Sequence, residues 1–265
     1  MSALQRDTRE ALARSDFPAA LEAAQACLET SEAHFGRDHA ATACALNNVG
    51  QVHRQRGALA EAQPLLERAV DAYVRVCGEA HASTAQALSN LGLLHAALAQ
   101  RAKGVERLEH VEAAHGVLER ALESRRAAFG AGHAQVAVGM YQLATAVRLQ
   151  KRFAAAEALL VDAVALLRAG GGGAALAAAT ALNNLGLCRK EAGKFAGAAE
   201  AYREALALRV ERLGEGHADS LTALHNLAEC TRAAGDEEGA LALQRRILAI
   251  LEPQAAAEQP AAAPK

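Results

Sequence analysis

Apolar residues recur along this chain at the spacing of helices that bury one face. Between positions 59 and 77 they fall at Leu65, Leu66, Ala69, Val70 and Tyr73. Steps of one and three place them on one side of a 3.6-residue helix. The preceding stretch, 40–55, is poor in charge and rich in Ala and Leu, which predicts a helix buried on most sides. The same pair of patterns returns down the chain, so the unit of the fold is a helical hairpin.

The return is periodic. Leu46-Asn47-Asn48-Val49-Gly50 reappears 42 residues on as Leu88-Ser89-Asn90-Leu91-Gly92. Later copies are Leu182-Asn183-Asn184-Leu185-Gly186 and Leu224-His225-Asn226-Leu227-Ala228, again 42 apart, with a weaker copy at Met140-Tyr141-Gln142-Leu143-Ala144. From the second copy to the weaker one the step is 52, so about 10 residues are inserted there. Two further markers keep the register. A Gly-x-x-His form begins at Gly36, Gly78, Gly130 and Gly214, and a small residue recurs at Ala62, Ala114, Ala156, Ala198 and Ala240. The glycines that begin Gly-x-x-His follow a helix, which predicts left-handed C-terminal caps. Gly50, Gly92 and Gly186 sit where two helices must approach closely. Phe17 and Ala20 lie 42 before Leu59 and Ala62, so a partial unit leads the array.

The combination of Leu-Asn-Asn-Leu-Gly, Gly193-Lys194-Phe195-Ala196-Gly197-Ala198-Ala199, Ala205-Leu206 and Gly214-Glu215-Gly216-His217 at this period resembles the kinesin light chain type of tetratricopeptide repeat. The resemblance covers roughly residues 10–251. It departs from the family pattern where Ala40, Ala82, Ala134 and Ala218 replace a proline, and where the third repeat loses both asparagines. The resemblance implies an all-α fold, a right-handed superhelical solenoid of about six hairpins occupying residues 1–251. Their expected bounds are 3–35, 40–77, 82–129, 134–169, 175–213 and 218–251, with an inserted segment near 101–111. Residues 252–265 hold Pro253, Pro260 and Pro264, which should stop the last helix and leave a disordered Ala/Pro tail.

Composition narrows function. Lys plus Arg is 28 against Asp plus Glu 30, a formal charge of −2, which lacks the basic footprint of a nucleic-acid or anionic-membrane binder. The charge-free window 169–188 is mostly Ala and Gly, with Thr180, Asn183 and Asn184, so it does not read as a membrane span. The first residues are interrupted by Gln5, Arg6, Asp7, Arg9 and Glu10 and contain no signal core. Cysteines at 27, 44, 77, 188 and 230 form no CxxC pair, which reads as reduced thiols in the cytoplasm.

Catalytic and metal chemistry find no support. His39, His81, His133 and His217 occupy one repeat position, and neighbouring repeats are too far apart to share an ion, so these are turn residues. His110 and His115 are five apart, about 140° around a helix, the wrong spacing for a zinc pair. Cys188 and Cys230 are one repeat apart and read as small core residues. Gly170–Gly173 lacks the strand and the Lys-Ser/Thr of a phosphate loop. No nucleophile motif is present. The expectation is no enzyme, no cofactor and no metal.

A partner protein is the remaining class. By resemblance, the groove-facing positions are Asn47, Asn48, Gln51 and Arg54, then Ser89, Asn90, Leu93 and Ala96, Tyr141, Gln142, Thr145 and Arg148, Asn183, Asn184, Leu187 and Lys190, and His225, Asn226, Glu229 and Arg232. Asparagine amides can bond an extended peptide backbone, and a basic row at Arg54, Arg148, Lys190 and Arg232 suits an acidic one. The second asparagine of each pair can instead brace neighbouring helices. The first reading is therefore an adaptor that holds an extended acidic segment. The alternative is a structural subunit or assembly factor fixed through its convex face and inserted helix. Val105, Leu108, Val111, His115 and Leu118 recur at helical offsets with no proline between them, so the insertion predicts a second helix that starts near Lys103 and reaches Phe129. Its Val105 and Leu108 should form a second contact site.

Overall fold

The computed structural model describes residues 2–258. They form twelve α-helices, with no strand among the described residues. In chain order these are α1 (Ser2–Ala13), α2 (Phe17–Phe35), α3 (Ala40–Gln55), α4 (Leu59–Cys77), α5 (Ala82–Arg101), α6 (Gly104–Phe129), α7 (Ala134–Leu149), α8 (Phe153–Ala169), α9 (Ala175–Glu191), α10 (Phe195–Leu213), α11 (Ala218–Ala233) and α12 (Glu237–Glu258). The chain divides into two compact units at Gln150–Lys151. In the first, α1 packs on α2, α3 on α4 and α5 on α6, and α7 packs on α6. In the second, α8 packs on α9, α9 on α10 and α11 on α12.

The connections between hairpins are built from the Gly-x-x-His marker. Gly36, Gly78, Gly130 and Gly214 end their helices with φ between 75° and 87°. Their ψ values, from 153° to −176°, are extended rather than left-handed helical, a correction to the expected cap. Only glycine populates that region readily, so the requirement is stricter than for an ordinary left-handed cap. Each histidine is the N-cap of the next helix. Nδ1 of His39, His81, His133 and His217 accepts the backbone N–H two residues on, at 3.1 Å in every case. Hydroxyls of Thr42, Thr84 and Ser220 donate back to the carbonyls of Gly36, Gly78 and Gly214 at 2.7–2.8 Å. The free backbone groups at both helix ends thereby find partners.

Within a hairpin the helices meet through absent side chains. Ala62, Ala114, Ala156, Ala198 and Ala240 are all fully buried. A Cβ on Gly50 would lie 2.7 Å from Leu66 Cγ, one on Gly92 2.5 Å from Leu118 Cγ, and one on Gly186 2.8 Å from the Tyr202 ring. Five of the six short turns between helices share a feature, a positive φ at Ser15, Gly57, Lys151, Gly193 and Gly235. Two of those five residues are not glycine and carry the strain of that conformation.

The inserted residues lengthen both helices of one hairpin. α5 has 20 residues where α3 has 16, α6 has 26 where α4 has 19, and the turn between them is one residue shorter. The expected early start of α6 is present at Gly104, with Lys103 at the N-cap position and no side-chain capping bond. Its overhang is seven residues rather than ten, about 10 Å instead of 15 Å, because α5 takes up four. The last helix runs through Pro253 to Glu258 and does not stop at the proline as expected. Proline removes one N–H from the ladder, and the strong helix formers Ala255, Ala256 and Ala257 follow it. Pro64 is likewise held inside α4. Residues 259–265 of the expected tail lie outside the described residues.

Gly92→Ala should destabilise the protein by about 1–3 kcal/mol in urea unfolding, because the added methyl must displace Leu118 at a branch carbon. Gly116→Ala, in the middle of α6 with nothing within 4 Å of its Cβ, should stabilise it by about 0.5–1 kcal/mol. Equal effects at the two sites would mean that the close approach at Gly92 does not carry the packing.

Candidate functional site

The first helices of the hairpins carry the expected groove residues, and the asparagines among them are largely engaged with each other. Asn90 Nδ2 donates to Asn47 Oδ1 at 2.9 Å, with both side chains buried. Gln86 Nε2 donates to Asn90 Oδ1 at 3.4 Å. In the second unit Asn226 Nδ2 donates to Asn183 Oδ1 at 3.5 Å. The second asparagine of one repeat thus braces the first asparagine of the repeat before it. This leaves Asn48 and Asn184, both half-buried, as the asparagines of the set outside such a pair. Asn48 Nδ2 points to Cys44 Sγ at 3.9 Å.

The basic positions differ from one another. In the first unit Arg54 and Gln51 are half-buried on α3. Burial pushes the Arg54 guanidinium pKa down, and its Nε has no hydrogen-bond partner. Arg148, expected on an exposed face, is buried at 9% exposure. It lies at the end of α7, whose residues Met140, Leu143, Ala144 and Val147 are also buried. In the second unit Lys190 is 2.6 Å from Glu229, whose carboxyl it holds below the usual range, and His225 Nε2 approaches the same carboxylate at 3.5 Å. Arg232 is exposed and 3.3 Å from Glu237. Of the four cations, two are already ion-paired on the surface and one is buried. The row is not uniform.

Sequence reasoning missed Arg125. It is 1% exposed on α6, and burial pushes its guanidinium down to about 10. Nη1 donates to Ser89 Oγ at 2.6 Å, and Nη2 is buried without a protein acceptor. Tyr141, a groove position on α7, is close enough to feel that charge, and burial raises its hydroxyl pKa. The signal available was register: Arg125 stands where Tyr73 and Leu167 stand, in the middle of an apolar stripe. Arg209, two repeats on, is also buried and donates to the Asp219 carbonyl at 2.8 Å.

The overhang of α6 presents Val105 at 71% and Leu108 at 59% exposure. Where α6 returns to α5, His110 Nδ1 lies 3.3 Å from His95 Nδ1. Among the described residues no three His, Cys, Asp or Glu side chains gather to hold a metal ion. No described helix is long and apolar enough to cross a membrane.

Buried histidines give the molecule an acid limit. Burial pushes His53 and His95 below the ordinary 6.5, with Arg56 adding to the effect at His53 and His110 at His95. The folded state then binds fewer protons than the unfolded chain in the window just below 6.5, so this stability is present above 6.5 and lost as pH falls through the lowered values. The urea midpoint should fall between pH 7 and the carboxylate range, and His95→Gln should flatten that fall. An unchanged slope in the variant would place the acid sensitivity elsewhere.

The tetratricopeptide repeat profile matches residues 11–73, 42–115 and 177–252. Among solved structures, a putative kinesin light chain of Podosopora anserina is 20% identical, with a match covering 84% of this chain and 100% of that one, at a TM-score of 0.63. BtubC from P. vanneervenii is 20% identical over 99% of this chain and 95% of its own, at 0.66. A Rap protein complexed with competence and sporulation factor is 19% identical over 94% and 73%, at 0.63. At these identities the likeness is one of fold. No curated protein matches the chain.

Proposed function

The chain belongs to the tetratricopeptide repeat family, and we propose that it is a protein-interaction module that holds an extended, acidic segment of another protein. Proteins of this repeat class are in general non-enzymatic scaffolds that bind other proteins or peptides. The same reading makes this chain a non-enzyme of the cytoplasm with no cofactor and no nucleic-acid or membrane partner. The net charge of −2 and five free cysteines support it.

Arg54 carries the acidic preference. A cation that is half desolvated, with a donor lacking any partner, is costly to keep and becomes favourable when a carboxylate arrives to complete it. Gln51 and Asn48, within one turn on the same helix, supply amide groups for a peptide backbone. Lys190 and Arg232 already hold Glu229 and Glu237, so they contribute less. Extended peptides selected by random display on the folded protein should be enriched in Asp and Glu. Arg54→Gln should weaken them about tenfold, the worth of a charge-assisted hydrogen bond, with helicity unchanged. Lys190→Gln should have a smaller effect. Selected peptides without acidic enrichment would sink the preference.

A second reading is favoured by one observation, the exposed Val105 and Leu108 on the α6 overhang. A fixed subunit would be held there, since two adjacent apolar side chains at such exposure suit a protein contact. Replacing both by Ser should release the protein from a stable assembly while leaving thermal unfolding in place. Retention in the assembly would exclude this edge as the contact.

A further inference from the structure

The connections between hairpins follow a common construction, and one of them lacks it. Three connections carry an acidic turn residue tied to the second helix of the next hairpin. Arg75 donates to Asp38 at 2.7 Å, Arg120 to Glu79 at 2.7 Å, and Arg246 Nε to Glu215 at 2.7 Å. Two carry an aromatic ring stacked on the capping histidine: Phe35 on His39 and Phe129 on His133, with ring centroids 4.5 and 4.8 Å apart. The cleft between connection and second helix is accordingly small and lined by charge. It measures about 290 Å³ beside Asp38 and Arg75, and about 330 Å³ beside Glu79 and Arg120.

The connection from α8 to α9 has none of these parts. In repeat register Gly171 stands where Phe35 and Phe129 stand, Ala175 where His39 and His133 stand, and Gly173 and Ala174 where the acid stands. α8 ends at Ala169, two residues short of the register, and a single 3₁₀ turn at Gly172–Ala174 follows. The cleft at this place is about 450 Å³ and mainly apolar, walled by Leu167, Ala175, Ala178 and Leu208. Its rim carries two guanidinium groups, Arg168 and Arg212, against one carboxylate, Glu204. Arg168 donates to Glu204. The carboxylate nearest Arg212 is its sequence neighbour Glu211, 3.5 Å away, with both side chains well exposed. Arg212 thus stands at the mouth of an apolar socket with only an exposed sequence neighbour as its pair.

We propose that this socket receives an aromatic side chain of a bound polypeptide, with an acidic residue beside that ring held by Arg212. The ring from outside takes the register position that Phe35 and Phe129 occupy within the chain, where they stack on the capping histidines and stay 49% and 37% exposed. A side chain delivered from a backbone is what occupies the equivalent place, which favours a polypeptide over a free small molecule. Burial of an aromatic ring supplies the binding energy, and a single charged contact at the rim supplies orientation. The inference rests on the protein-binding reading above and names one feature of the segment that is bound.

The protein contains no tryptophan, so a peptide's indole is the sole reporter of its kind. The probe is a six-residue peptide with Trp next to Asp, titrated with the full chain and followed by Trp emission. A saturable blue shift is expected. Ala175→Phe, which refills the socket from the first turn of α9, should abolish it. Arg212→Gln, at an exposed position that leaves the fold intact, should weaken the Asp peptide about tenfold and leave its Asn counterpart unchanged. Three results would overturn the proposal: no shift with the unaltered protein, a shift that survives Ala175→Phe in a folded variant, or equal loss of Asp and Asn peptides in Arg212→Gln. Free indole-3-propionate binding as tightly as the peptide would overturn the polypeptide source. Arg54→Gln alters none of the socket residues, so a loss of displayed peptides there with the Trp shift intact separates failure of one reading from failure of the other.

Discussion

In three hairpins a large side chain of the second helix sits directly over a glycine of the first, and that contact sets the spacing of the two helices. Leu66 covers Gly50, Leu118 covers Gly92 and Tyr202 covers Gly186, each so close that a single methyl group would collide. Because only one side chain fits each hole, the contact sets how far the helices slide past one another as well as how closely they approach. The fully buried alanines at Ala62, Ala114 and Ala198 permit the same closeness from the other side. A period of 42 follows from this. Any change of length between the glycine and its covering residue must be absorbed by lengthening the hairpin beyond the contact. The 10 inserted residues do so, divided between α5 and α6 on either side of their turn.

The connections obey a different constraint, the pairing of backbone groups at helix ends. Positive-φ glycine and histidine cap work together at four connections, and a Thr or Ser hydroxyl joins them at three. At the α8–α9 boundary Gly171 keeps a positive φ, but Ala175 and Ala178 replace the histidine and the hydroxyl, and a short 3₁₀ turn follows. The backbone solution is adequate, but it supplies no side chains to the cleft. Loss of a local capping device therefore appears as a cavity several residues away, on the flank of α10.

The fold was legible because it is written several times over. Repetition turned weak local signals into a register, and from the register came the turn role of the histidines, the helix pairing and the early start of α6. What one copy alone decides was harder to read. Arg148 occupies the same register position as Arg54 and Arg232, yet it alone of the three is buried, which nothing in the repeat pattern announces. Arg125 likewise hides in an apolar stripe. The left-handed residue Lys151 stands where its repeat equivalents Gly57, Gly193 and Gly235 are glycines, so only the register identifies it. The partnering of Asn47 with Asn90 depended on the distance between repeats, which spacing along the chain does not contain.

These differences bear on how such a surface recognises anything. A row of identical cations would attract acidic segments without choosing among them, since long-range charge mainly governs encounter. Here the second unit neutralises Lys190 and Arg232 internally, which lowers their pull on any ligand. Of the basic row, what stays unsatisfied is one half-dehydrated guanidinium at Arg54 in the first unit, and the second unit adds one apolar socket rimmed by Arg212. Sparse unsatisfied groups discriminate better than abundant ones, because a ligand that misses one of them leaves a buried or apolar site without its complement. Selectivity in this chain is therefore expected to come from the positions where the repeat pattern is broken, and its general affinity for extended chains from the positions where the pattern is kept.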